Sequence, residues 1–60
     1  MNEEARRYLK HAVLHLIDAQ KYAEHAVLAE PTGRNREDLT ELNITLLMLL
    51  DKTQTAINRT

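Results

Sequence analysis

The sequence predicts an all-α fold: an antiparallel helical hairpin of two long helices that self-associates into a four-helix bundle. The only Gly and the only Pro lie together near the middle of the 60 residues, and both flanking stretches repeat apolar residues at spacings of three and four. The chain has no Cys, Phe or Trp and only two Tyr, so disulfides are excluded and bulky apolar side chains are too few to stabilise a monomeric core. We therefore expect self-association to provide the buried apolar surface that a monomer lacks.

The first helix is predicted over about residues 3–29. Asn2 can cap its amino end, and the two glutamates that follow suit the positive end of the helix dipole. Pro31 disfavours helical geometry at Glu30, so the helix should end just before it.

The turn is predicted over residues 30–35, and the second helix over about residues 34–58 of a single domain spanning 1–60. Two residues compete for its amino-terminal cap. Thr32 precedes Gly33 directly, and the side chain of Asn35 could accept a hydrogen bond from the next turn. Thr32 is preferred.

Each predicted helix carries a heptad seam, and the two seams complement each other in size. The alanine seam of the first helix consists of Ala5, Leu9, Ala12, Leu16, Ala19, Ala23 and Ala26. The leucine seam of the second consists of Leu39, Leu42, Leu46, Leu49, Thr53 and Ala56, with Leu50 and Ile57 beside it. Large leucines opposite small alanines predict a close antiparallel pair with a shallow crossing angle.

Apolar residues outside the seams predict a second packing step. They are Val13, Leu14, Ile17, Val27 and Leu28 on the first helix and Ile44, Leu47 and Met48 on the second. A helix that is apolar on most sides is normally buried on most sides, which favours a homodimer, with a larger homo-oligomer as the alternative. The predicted interface residues are Ala12, Leu16, Ala19, Ala23, Leu42, Asn43, Leu46, Leu47, Leu49 and Leu50. Asn43 either fixes the register of the contact or lies at its wet edge.

A polar stripe on the first helix is the main candidate for ligand chemistry. It consists of Tyr8, His11, His15, Asp18, Tyr22 and His25. His11 and His15 are one turn apart, and Asp18 could add an oxygen ligand, which makes these three residues candidate metal ligands. The favoured interpretation is a polar boundary along the bundle edge, with a small-ligand pocket as a further alternative. No metal or cofactor is therefore assigned.

Catalysis is not predicted. The chain contains no Ser, its single Gly cannot form a phosphate-binding loop, and a hairpin offers little room for a water-poor cleft.

Basic residues meet at one end if the second helix returns antiparallel: Arg6, Arg7, Lys10, Lys52 and Arg59. Helix lengths and heptad pattern resemble the Rop family, whose hairpins dimerise into four-helix bundles. That resemblance implies paired RNA loops as ligands of this end, and a small phosphorylated ligand is another candidate. Intervening acids and a net charge of −1 instead favour a solvated surface and disfavour nucleic acid.

The sequence therefore predicts a small, non-enzymatic regulatory or adaptor protein whose partners are itself and another protein. Its longest uninterrupted apolar run, residues 46–50, is far short of a membrane span, so no membrane partner is expected. The acidic beginning is unlike a signal peptide, and a cytoplasmic location is expected.

Overall fold

The computed structural model describes residues 1–59 and consists of two long helices packed side by side. Helix α1 spans Glu3–Ala29 and helix α2 spans Arg34–Asn58. They run antiparallel and contact each other along their lengths, so the predicted two-helix hairpin is confirmed.

Both ends of α1 follow local sequence signals. The side-chain oxygen of Asn2 accepts a hydrogen bond from the Ala5 amide at 2.7 Å, which confirms the predicted cap. At the other end Glu30 is extended, as expected for a residue before proline, and its amide donates to the Ala26 carbonyl at 3.1 Å. The chain therefore leaves the helix immediately before Pro31.

Helix α2 begins without a side-chain cap, so the preference for Thr32 is wrong, and so is the alternative of Asn35. Gly33 is the capping residue, with φ +138° and ψ −167°, and its carbonyl accepts from the Glu37 amide at 3.1 Å. This backbone conformation is essentially restricted to glycine. Residues 30–33 connect the two helices, so α2 starts directly after Gly33 and Asn35 lies inside the helix.

The contact between the helices is rotated from the predicted seams at three positions. Ala19, Leu42 and Leu49 are exposed, although the seams place them between the helices. Each is followed in the chain by a half-buried residue: Gln20, Asn43 and Leu50. Successive residues of a helix differ by about 100° in direction, so at these three positions the contact passes to one side of the seam. The remaining seam residues are half-buried.

The hairpin has no interior of its own. Among residues 1–59 no side chain is fully buried, apolar or polar. The molecule measures 45 × 15 × 11 Å and its Cα radius of gyration is 14.0 Å, against about 10 Å for a compact domain of this length. Two helices alone therefore leave much of their apolar surface in water.

Candidate functional site

The exposed apolar residues lie on two opposite faces of the hairpin. The first, the seam face, contains the three exposed seam residues Ala19, Leu42 and Leu49. In each helix these residues lie on the same side of the contact line, and because the helices are antiparallel they share one face of the hairpin. Tyr8 and Tyr22 lie at the edge of this face and are exposed.

The second face, the network face, combines exposed apolar side chains with a hydrogen-bonded polar group. It contains Ile17, Gln20, Glu24, Asn43 and Leu47. The side-chain amide nitrogen of Gln20 donates to the Asn43 carbonyl oxygen across the hairpin and to a Glu24 carboxylate oxygen one turn along α1, both at 3.3 Å. Asn43 is half-buried, and its bond to Gln20 links α1 to α2.

Sequence reasoning missed Gln20. Its signal was its spacing: it lies four residues after Leu16 and three before Ala23, so it continues a heptad line as well as Ala19 does. A seam defined by apolar residues alone includes Ala19 and leaves out Gln20. Gln20 and Asn43 lie at matching heights of the two antiparallel helices. This pairing of one glutamine with one asparagine is the feature by which the contact could be recognised in the sequence.

An open groove lies towards the chain-terminal end of the hairpin. It is lined by Lys10, Val13, Gln54, Ile57 and Asn58. Near it Arg6 is half-buried, and its Nε is shielded from solvent without a hydrogen-bond partner among the described residues. This end is therefore polar on the side that continues the network face.

The candidate nucleic-acid residues do come together, because α2 returns antiparallel. Arg6, Arg7 and Lys10 lie at the same end as Lys52 and Arg59. The acidic residues Glu3, Glu4 and Asp51 lie at that end as well, so the positive charge is diluted.

The polar stripe of α1 is exposed along its length. The ring of Tyr22 meets that of His25 edge to face at 6.5 Å between centroids, and the Lys21 ammonium lies 5.9 Å from the centre of the Tyr22 ring. Within residues 1–59 no group of three His, Asp or Glu side chains is placed to hold a metal ion. The candidate ligands His11, His15 and Asp18 therefore share a helix face without converging on one point.

Three threonines of α2 use their hydroxyls within the helix. Thr40, Thr45 and Thr53 each donate to the carbonyl four residues earlier, at 2.8 to 3.0 Å. This back-bonding gives each hydroxyl a partner inside its own helix. Thr53, a leucine-seam residue, therefore adds no unpaired polar group to the seam.

No protein-family model, curated protein or solved structure matches this chain. Across the described part of the chain, neither helix combines the length and the apolarity that crossing a bilayer requires.

Proposed function

We propose that this chain is a non-enzymatic, homo-oligomeric adaptor or regulatory protein of the cytoplasm. In this proposal hairpins pair into a four-helix bundle, and the bundle acts by binding another protein. The proposal assigns no metal and no cofactor.

The absence of any buried side chain among residues 1–59 carries the proposal. The hairpin exposes 4775 Å² of surface, about 800 Å² more than a folded monomer of this mass typically exposes. A standard protein interface buries about 800 Å² on each partner. Covering one face with another chain would therefore bring the exposed surface to that of an ordinary folded protein.

The two-sided distribution of apolar residues supports a second protein partner. The seam face and the network face point in opposite directions, so a single two-fold contact covers one of them. The other remains exposed in the dimer and presents Ile17 and Leu47 at the surface. An amphipathic helix of another protein is the kind of ligand that such a surface accepts.

Sedimentation velocity over a range of protein concentrations tests the self-association. We expect twice the chain mass of 6.9 kDa at micromolar concentrations and a shift towards the single-chain mass on dilution, where the hairpin keeps part of its helicity and is less stable. A folded monomer at every concentration would contradict the proposal. Native mass spectrometry of protein purified from its own host would then report the oligomer size, the protein partner and any retained ligand together.

Titration against mixed RNA and DNA at several salt concentrations tests the nucleic-acid alternative. Binding through the basic end would weaken steeply with salt, because each phosphate contact releases counterions. We expect no such binding, since acids are interspersed among the basic residues and Arg6 is half-buried.

A further inference from the structure

We infer that a second copy of this chain docks on the seam face, with its turn at the opposite end of the bundle. This inference rests on the proposed self-association and names the face and the orientation.

The positions of the exposed seam residues identify the face. In a four-helix bundle each helix has two neighbours, and its heptad seam points between them, towards the bundle axis. A hairpin supplies only one of those neighbours, so part of each seam should remain exposed on the flank where the other belongs. The exposed members, Ala19, Leu42 and Leu49, all lie on one flank, and that flank is the seam face.

Polar groups exclude the opposite face from the same role. A second copy on the network face would bury Gln20, Asn43 and the charged Glu24 in the contact. The Gln20 carbonyl oxygen and the Asn43 amide nitrogen take no part in those bonds and would lose their water there, which is costly. On the seam face the exposed Thr45 lies between Leu42 and Leu49, and its hydroxyl already donates to the Glu41 carbonyl at 3.0 Å. That hydroxyl would therefore keep its partner beneath a second copy.

Side-chain size also suits the seam face. The alanine seam allows the axis of another helix to approach closely, and the exposed Leu42 and Leu49 provide side chains that fill the space beside alanines. Leucines of one hairpin would then pack against alanines of the other. This is the same pairing of large with small side chains that the two seams form within each hairpin.

The charges at the two ends of the hairpin fix the orientation. The open end, residues 1–10 and 51–59, has five Lys or Arg against three Asp or Glu. The turn end, residues 24–41, has two Arg against five Asp or Glu. A parallel pair would place like charges together at both ends. An antiparallel pair places the positive open end of each copy beside the negative turn end of the other.

A matched pair of charge substitutions tests the face. Leu42 is 50% exposed and lies on the seam face, whereas Leu47 is 46% exposed and lies on the network face. We expect Leu42→Glu to raise the dimer dissociation constant by about a hundredfold or more, because the carboxylates are buried unpaired. Leu47→Glu should leave it within about threefold, as an exposed substitution does.

The results of that experiment separate the inference from the proposed function. A monomeric wild-type chain would overturn the self-association itself. Dimerisation lost in Leu47→Glu and kept in Leu42→Glu would overturn the choice of face and leave the self-association standing. Loss in both variants would overturn the assignment to a single face.

Thiol protection gives a readout that does not depend on a charged variant folding. The chain has no Cys, so a single introduced thiol is the only reactive one. Ala19→Cys on the seam face should react more slowly with a thiol reagent as protein concentration rises, whereas Ile17→Cys on the network face should react at a constant rate. The reverse pattern would overturn the inference.

A distance measurement tests the orientation. A spin label on Thr32→Cys in the turn should lie about 35 Å or more from its copy in the antiparallel dimer, since the helices are about 40 Å long. A distance under about 25 Å would place both turns at one end, since neighbouring helix axes are about 10 Å apart. That result would overturn the antiparallel arrangement.

Discussion

The seam face and the network face expose similar apolar side chains, yet they differ in what lies between them. Leu42 and Leu49 on one face and Ile17 and Leu47 on the other are each about half exposed. Around the first pair lie Ala19 and Thr45, and the Thr45 hydroxyl is bonded within its own helix. Beside the second pair it continues into the hydrogen-bonded Gln20, Asn43 and Glu24.

This difference teaches that exposed apolar area alone does not specify how a hairpin assembles. Both faces would gain from being covered, since burial of apolar surface is favourable wherever it occurs. Covering the network face would also require the amide groups of Gln20 and Asn43 to lose water. The polar groups therefore determine which of two otherwise similar surfaces is buried. A polar residue in the core of a helical bundle specifies the oligomeric state of the bundle in the same way.

Replacing the polar pair should abolish the distinction between the faces, and this is the largest effect we expect. In the double variant Gln20→Leu with Asn43→Leu both faces become apolar along their centres. We expect the single oligomeric species to give way to larger assemblies, detected by light scattering as a mass that rises with concentration.

Glu24 provides the control for that prediction. Glu24→Gln removes a charge from the network face and keeps the apolar pattern unchanged, so the mass should stay that of the wild type. A double variant with the wild-type mass at all concentrations would show that the polar pair does not select the face.

A second prediction compares two alanines of the same seam. Ala23 is half-buried against α2, whereas Ala19 is exposed on the seam face. Ala23→Leu should overpack the hairpin and lower the free energy of unfolding by about 1 to 3 kcal/mol, measured by urea titration. Leucine is nearly as good a helix former as alanine, so propensity contributes little to the change.

Ala19→Leu should leave the contact between α1 and α2 intact. Its effect should therefore appear only at concentrations where chains associate, whereas that of Ala23→Leu should persist on dilution. If both variants lose the same free energy of unfolding at every concentration, Ala19 lies between the two helices of one chain.

The hairpin itself could be predicted from the sequence because its signals are local. Asn2 and Pro31 each act on the backbone within a few residues, so they set the two ends of α1. The start of α2 could be predicted only approximately. Side-chain caps are the usual signal, and here the capping residue is Gly33, which has no side chain to give one.

The exposed faces could be predicted less well, because the contact line depends on both helices together. Heptad spacing fixes the direction of a seam to within about one residue, or about 100°. Ala19 and Gln20 satisfy the spacing equally, and the choice between them depends on the position of Asn43 on the other helix. That pairing is a tertiary fact, and it decides which residues remain exposed.

The smallest expected effect comes from breaking the bond that links the two helices on the network face. Asn43→Ala removes the acceptor of the 3.3 Å hydrogen bond from Gln20, while Gln20 keeps its bond to Glu24. The half-buried bond should be worth about 0.5 to 1.5 kcal/mol. Alanine is a better helix former than asparagine by about 0.5 kcal/mol, which offsets part of the loss. A double-mutant cycle with Gln20→Ala cancels these changes in propensity, so its coupling energy isolates the bond. Urea titrations of the two single variants and the double variant should therefore give a coupling energy of about 1 kcal/mol. A coupling energy of zero would mean that water replaces the bond at no cost, and the polar pair would then select the assembly face solely through its resistance to burial.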